Sequence, residues 1–150
     1  MRRKDREISD FNSIVSFVES CDTIRLGINA DGYPYVVPLS FGFSAYDGKI
    51  TFYFHCAKTG KKVDLISRNN KVCVEADVNH GFVMTTADYQ SFIGFGTVIK
   101  CEGEEKIKGL DLLMKHCGYD GFHTEECREL DVTDVYRIDL DEFTCKKMNL

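Results

Sequence analysis

Three lysines gather where a β-rich run gives way to a predicted helix: Lys58, Lys61 and Lys62. Gly60 opens that helix, and the first turn of a helix presents unpaired N–H groups with a partial positive charge that attract phosphate. Two lysines in a first turn oppose the helix dipole unless an anion lies among them. The chain has a formal net charge of -5, so this cluster favours one small anionic ligand over a nucleic acid, which needs an extended basic surface. Spacing alone is equally compatible with solvated surface lysines.

His55 lies near the end of the preceding β-rich run, ITFYFHC. Side chains alternate between the two faces of a strand, so His55 shares a face with Thr51 and Tyr53, and the phenylalanines occupy the other face. A lone histidine at a strand end is usually structural. This one comes five residues before Gly60, so it would lie close to a ligand whose phosphate binds there. It could hydrogen-bond the ligand, or anchor or protonate a substrate.

Pro38 interrupts the apolar segment VVPLS. Proline donates no hydrogen bond, so a strand that contains it should be bulged or lie at the edge of a sheet. Backbone groups left free at such an edge can bind the carbonyl and N–H edge of a flat heteroaromatic ligand. An ordinary edge strand with no ligand explains the proline equally well.

A second group of candidate ligands has the spacing C-x5-H-x3-C with an adjacent histidine, and comprises His116, Cys117, His123 and Cys127. Such residues can form a tetrahedral metal site. The group lacks a C-x2-C pair, and Cys117 falls on the apolar stripe of a predicted helix. We therefore expect no metal.

The composition is that of one ordinary globular domain spanning residues 1–150, with 43% hydrophobic and 29% charged residues. The seven cysteines are scattered without the spacing of a disulfide framework, which favours free thiols in a reducing compartment. No export signal or membrane-spanning run is evident. These features predict a cytoplasmic protein.

Periodicity predicts helices over residues 10–21, 60–68 and 104–117. Between them we expect six strands, joined mainly by hairpins at turn sequences such as ADG and YDGK. The long apolar run FIGFGTVIKC predicts a strand covered on both faces. Together these elements indicate a mainly β, α+β fold, in which a small antiparallel barrel has helices packed on it.

Three segments, MRRKDREI, YPYVVPLSFGF and FHCAKTGKKVDLI, resemble the FMN-binding split barrels related to pyridoxamine 5′-phosphate oxidase. The nitroimidazole-resistance (5-nitroimidazole reductase-like) subgroup is the most similar, and the likeness runs over residues 1–118. It implies a six-stranded antiparallel split β-barrel that forms a homodimer and holds FMN between the subunits.

The resemblance also implies roles for individual residues. His55 would be the residue tied to activity, and Tyr89 and Ser91 would approach the flavin from the partner subunit. The isoalloxazine would be lined by the strand residues Val37, Pro38, Leu39 and Ser40. The segment running alongside it would be His55, Cys56 and Ala57. The phosphate would be bound by Lys61 and Lys62.

The function that the resemblance implies is an FMN-dependent oxidoreductase that passes electrons from NAD(P)H to a small acceptor, either a nitroaromatic or a small physiological oxidant. A non-catalytic protein that binds flavin, deazaflavin or haem is the alternative, with His55 as an axial ligand in the haem case. The sequence has no tryptophan and lacks the C-terminal extension that holds substrate phosphate in pyridoxamine phosphate oxidases. Pyridoxamine phosphate is therefore not the expected substrate.

Overall fold

The computed structural model describes residues 3–119 and 132–148, which form three α-helices, a short 3-10 turn and eight strands. The helices are α1 (Phe11–Glu19), α2 (Lys61–Arg68) and α3 (Gly103–His116), and the turn spans Lys4–Arg6. The strands are β1 (Glu7–Ile8), β2 (Ile24–Ile28), β3 (Tyr35–Leu39), β4 (Gly42–Tyr46), β5 (Lys49–Ala57), β6 (Lys71–Val83), β7 (Thr86–Lys100) and β8 (Thr133–Lys147). Among the described helices, none is long and apolar enough to cross a membrane. The three expected helices are confirmed to within two residues at each end.

The strands form one antiparallel sheet with the order β3-β2-β6-β7-β8-β5-β4, and β1 pairs with β8. Two strands that follow each other in the chain, β3 and β4, therefore lie at opposite ends of the sheet. The sheet curls around a shared core, and the opening between its two ends makes it a split barrel. The YDGK sequence forms the predicted turn between β4 and β5, with positive φ at Asp47 (51°) and Gly48 (72°), as a two-residue hairpin loop requires.

The fold class is confirmed, but the expected count of six strands is wrong. The short β1 is additional, and the segment YPYVVPLSFGF forms two strands where one was expected. The break falls at Ser40 and Phe41, because the chain then passes directly under α3. A Cβ atom at Gly42 would clash with the backbone of Leu113 on that helix, so the chain must approach the helix without a side chain.

Large aromatic side chains fill the barrel. Phe52 lies at its centre, with ring centroids 5.4 Å from Phe41 and 5.8 Å from Phe92 in edge-on geometry. Phe54 stacks on Tyr136 of β8 at 5.4 Å. Such pairs add about 0.5–1.5 kcal/mol each to the burial of apolar area. The alternation predicted for β5 places these phenylalanines inside, as observed.

The expectation that FIGFGTVIKC is covered on both faces is wrong for the single chain. The inward residues of this part of β7 are buried, but Ile93, Phe95 and Ile99 on its outer face are each more than a third exposed. No described helix lies over this face. The outer surface of β7 is therefore an apolar stripe in contact with solvent.

Replacing Gly42 with Ala should destabilise the fold by about 1–3 kcal/mol, because the added methyl group meets helix backbone that cannot rotate away. Urea unfolding at fixed protein concentration measures the change. Gly94→Ala is the control: its Cβ would meet only the ends of the Leu140 and Phe92 side chains, which can move, so a smaller loss than for Gly42→Ala is expected. Equal stability of the two variants would contradict the close approach of β4 and α3.

Candidate functional site

The N-terminus of α2 is open to solvent. Its N-cap residue is Gly60, whose φ of 133° favours glycine and whose side chain cannot cap the helix. A Cβ atom placed there would meet nothing within 4 Å. The first-turn N–H groups therefore have no side-chain cap, and the positive end of the helix dipole faces open space.

The two lysines of this first turn lie against aromatic rings of two different strands. Lys61 Nζ lies 4.8 Å from the ring centroid of Tyr35 on β3, and Lys62 Nζ lies 5.5 Å from that of Phe54 on β5. Cation–π contacts of this length hold an ammonium group in place while it remains charged. β3 and β5 do not pair with each other. Because the first turn of α2 contacts both strands, it spans the opening of the barrel.

The positive charge of this cluster is not neutralised within the described part of the chain. Neither Lys58, Lys61 nor Lys62 forms an ion pair with a described carboxylate. Asp134, a buried acid on the neighbouring β8, is bound instead by Lys100 at 2.9 Å. Within the described residues, no carboxylate competes with an external anion for an ion pair with these lysines.

β3 borders the opening as an edge strand, as Pro38 predicted. It pairs with β2 on one side, with Pro38 opposite Arg25, and with no described strand on the other. Pro38 and Ser40 are exposed and Val37 is half-buried. Leu39 packs into the core, so only its backbone could contact a ligand. The free edge of β3 thus offers backbone groups next to the lysine cluster.

The end of β5 forms the other border. His55 and Ala57 are exposed on the outer face, and Cys56 is half-buried and points inward. Burial raises the pKa of the Cys56 thiol, while the positive charge of Lys62 partly lowers it and Asp134 raises it further. Cys56 therefore remains a neutral thiol near neutral pH and is a poor nucleophile.

A family model described as pyridoxamine 5′-phosphate oxidase matches residues 10–147, which is most of the chain. The chain belongs to the pyridoxamine 5′-phosphate oxidase family. No curated protein matches the chain. A structure from Bacteroides thetaiotaomicron, with a proposed role in 5-nitroimidazole antibiotic resistance, is 30% identical over 94% of this chain and 86% of its own, with a TM-score of 0.81.

Two more distant structures share the fold. An FAD-binding protein from Mesorhizobium loti is 19% identical, covers 96% of this chain and 98% of its own, and has a TM-score of 0.71. The flavocytochrome Anf3 from Azotobacter vinelandii is 16% identical, covers 100% of this chain and 72% of its own, and has a TM-score of 0.79. These two support the split-barrel fold of this family member.

Tyr89 and Ser91 do not join the other predicted site residues within one chain of this family member. Ser91 pairs with Lys146 near the end of β8, whereas His55 pairs with Val135 near its start. Eleven residues of strand separate these positions, which is about 36 Å along β8. On the β3 border, the buried Ser91 lies three strands away from Pro38. The contact of Tyr89 and Ser91 with a flavin from the partner subunit stays a prediction.

His116 has a structural role. Its Nε2 lies 2.8 Å from the carbonyl oxygen of Cys21, and its ring packs on Phe41 at 4.2 Å. The expectation that Cys117 belongs to the core stripe of α3 is wrong, because it caps the helix and is exposed. His123 and Cys127 lie outside the described residues. Within residues 3–119 and 132–148, no group of three or more His, Cys, Asp or Glu side chains could hold a metal.

Three contributors to the site were not predicted from the sequence: Tyr35, Lys100 and Asp134. Alternation along β3 could have placed Tyr35 on the same face as Val37. The pairing of Lys100 with Asp134 had no sequence signal, because it depends on the register between β7 and β8.

The burial of Cys56 has a measurable consequence. Iodoacetamide should label Cys56 at least about tenfold more slowly than the exposed Cys117 at pH 7.5, because only the accessible thiolate reacts. Raising the pH above 9 should increase the Cys56 rate, since its raised pKa is then approached. Peptide mass spectrometry follows each thiol, and labelling in urea serves as the control. Equal rates in the folded protein would show that Cys56 is accessible at the opening.

Proposed function

We propose that this protein is a homodimeric FMN-dependent oxidoreductase that passes electrons from NAD(P)H to a small acceptor. Family membership supports a flavin site, and the similarity to the Bacteroides protein suggests a nitroaromatic as the first acceptor to test. A small physiological oxidant is the other acceptor class. The observation that carries the proposal is the uncapped N-terminus of α2 with its two unneutralised lysines at the barrel opening.

The residues at the opening fit the phosphate of FMN. A phosphate near the first turn of α2 would accept hydrogen bonds from free N–H groups and from Lys61 and Lys62. A doubly negative group would also relieve the unfavourable interaction of both ammonium groups with the helix dipole. The open space at Gly60 leaves room for the phosphate to approach the backbone.

The borders of the opening fit a flat ring. The free edge of β3 from Val37 to Ser40 can hydrogen-bond the polar edge of an isoalloxazine, and the segment His55 to Ala57 would run alongside it. FMN supplies the hydride chemistry when bound. The exposed imidazole of His55 would orient the acceptor or donate a proton to it.

The outer surface of the barrel supports a dimer. Val36 on β3 and Ile93, Phe95 and Ile99 on β7 are exposed, and apolar surface of this kind marks protein interfaces. Ser91, with Tyr89 two residues before it, lies about 36 Å along β8 from the His55 border of its own barrel opening. A second copy is the simplest way to complete the site.

A non-catalytic flavin- or haem-binding protein is the second candidate. The exposed His55 favours it, because an accessible imidazole can be an axial haem ligand. Proteins of the same fold include a flavocytochrome and a protein from Mycobacterium smegmatis that binds FAD and haem. Absorption of the purified protein separates flavin from haem, and anaerobic addition of NADPH or NADH separates enzyme from carrier. Flavin that stays oxidised for hours under those conditions would favour the carrier.

Replacing both Lys61 and Lys62 with Ala should weaken FMN binding by about a hundredfold or more, since charge-assisted contacts are worth about 1.5–3 kcal/mol each. Flavin fluorescence during titration measures the affinity. Lys49→Ala/Lys115→Ala removes the same charge from exposed positions elsewhere and should leave the affinity within about threefold. Equal loss in both double variants would point to overall charge as the cause.

Replacing His55 with Gln should lower kcat at least about tenfold while FMN content and the unfolding midpoint stay unchanged, because the side chain is exposed. Steady-state kinetics with NADPH and a nitroaromatic, together with thermal unfolding, test this. A lower unfolding midpoint with normal kcat would assign His55 a structural role.

A further inference from the structure

The β6–β7 hairpin extends beyond the barrel as a two-stranded arm, residues 79–89. Pairing of β6 with β2 ends at Glu75, and pairing of β7 with β8 begins at Gln90. Within the described residues the two arm strands pair with each other, and only at the base does the Tyr89 carbonyl accept a hydrogen bond from the Met148 N–H, at 2.9 Å. An isolated two-stranded ribbon is marginally stable in water. An arm of this kind is typically stabilised by contact with another surface.

The tip of the arm is apolar. Phe82, Val83 and Met84 are 74%, 52% and 95% exposed. Met84 also has a φ of 56°, a conformation that glycine or asparagine adopts at lower cost. Three consecutive large apolar side chains in solvent, one of them in an unfavourable backbone conformation, indicate a surface that is buried in the functional assembly.

The outer face of the same chain carries a groove of about 370 Å³. It is lined mainly by apolar residues and glycines of β2, β6, β7 and the β2–β3 loop: Gly27, Pro34, Val72, Cys73, Phe95 and Gly96. Gly27 leaves room for the groove, because it lies on the outer face of β2 and carries no side chain. The groove adjoins Val36, which pairs directly with Gly27.

We propose that in the homodimer the arm tip of each chain occupies this groove on the second copy. The inference rests on the homodimer of the proposed function and names the surfaces that form it. Such an exchange is self-complementary, so two identical contacts close a two-fold dimer. The exposed surface of the arm tip, added to that of Val36, Ile93, Phe95 and Ile99, is roughly 700 Å². This area is close to the surface that each partner buries in a standard interface, about 800 Å².

The exchange has a consequence for the ligand site. Val36 beside the groove lies two residues before Pro38 on β3, the strand that borders the barrel opening. Tyr89 lies five residues after Met84, about 17 Å along the arm. A tip seated in the groove would bring the barrel of the second copy to within about 17 Å of Tyr89 along the arm, whereas Ser91 is buried in its own barrel. The arm would determine both dimer formation and the distance of Tyr89 from the barrel of the second copy.

The first experiment removes the apolar tip. Phe82→Ser/Met84→Ser should raise the dimer dissociation constant about a hundredfold, because buried anchor residues dominate interface energy. Sedimentation velocity over a concentration series measures it. Tyr46→Ser is the matched control, since Tyr46 is 84% exposed at the tip of another hairpin and should leave the dimer intact. An unchanged dimer in the double variant would overturn the inference.

A disulfide test does not depend on the folding of a weakened variant. Met84→Cys should form a cross-linked dimer with the native Cys73 of the second copy after oxidation with copper phenanthroline at pH 8.5. The cross-link should disappear in Met84→Cys/Cys73→Ser and be absent in Tyr46→Cys. A cross-linked dimer that persists without Cys73 would place the tip elsewhere.

The two proposals fail in different ways. A wild-type monomer, or a dimer insensitive to the arm, overturns the arm exchange, whereas the FMN content of the same sample tests the flavin assignment. A dimer that depends on the arm but copurifies with no flavin would uphold the exchange and overturn the flavin site.

Discussion

The site depends on the opening of the barrel, which is bordered by β3 on one side and by the end of β5, where it extends past β4, on the other. The sheet ends at β3 on one side and at β4 on the other, and the chain crosses from one end to the other through only Ser40 and Phe41. Because those ends do not pair, β3 keeps a free backbone edge, and α2 can lay its first turn across the gap. A closed barrel of the same strands would have no unpaired edge to offer a ligand.

The charged groups near the opening are paired selectively. An acidic chain would ordinarily neutralise two neighbouring lysines, and the buried carboxylate of Asp134 lies near enough to influence the Cys56 thiol beside Lys62. Lys100 binds that carboxylate. Lys61 and Lys62 contact aromatic rings of β3 and β5 instead. Near the opening, the buried acid thus has a cation of its own, and these two lysines form no ion pair with a described carboxylate.

Local rules predicted the helices, the YDGK turn, the edge position of Pro38 and the placement of His55 on the face of β5 opposite the phenylalanines, because each depends on periodicity or backbone chemistry within a few residues. The rules failed where packing between distant segments decides the outcome. Contact of Gly42 with α3 divides one apolar run into β3 and β4, and the end of α3 leaves Cys117 in solvent. The same limit applies to Tyr35, Lys100 and Asp134, whose places in the site follow from strand register.

The prediction that both faces of β7 are covered was wrong for a different reason. Its sequence is apolar at nearly every position, which is typical of a strand covered on both faces, yet one chain covers only the inner face. An apolar run indicates that both faces of the strand are buried in the functional assembly, and that assembly can include a second copy of the chain. The exposed Ile93, Phe95 and Ile99, together with the apolar arm tip, are the observations that support the proposed homodimer.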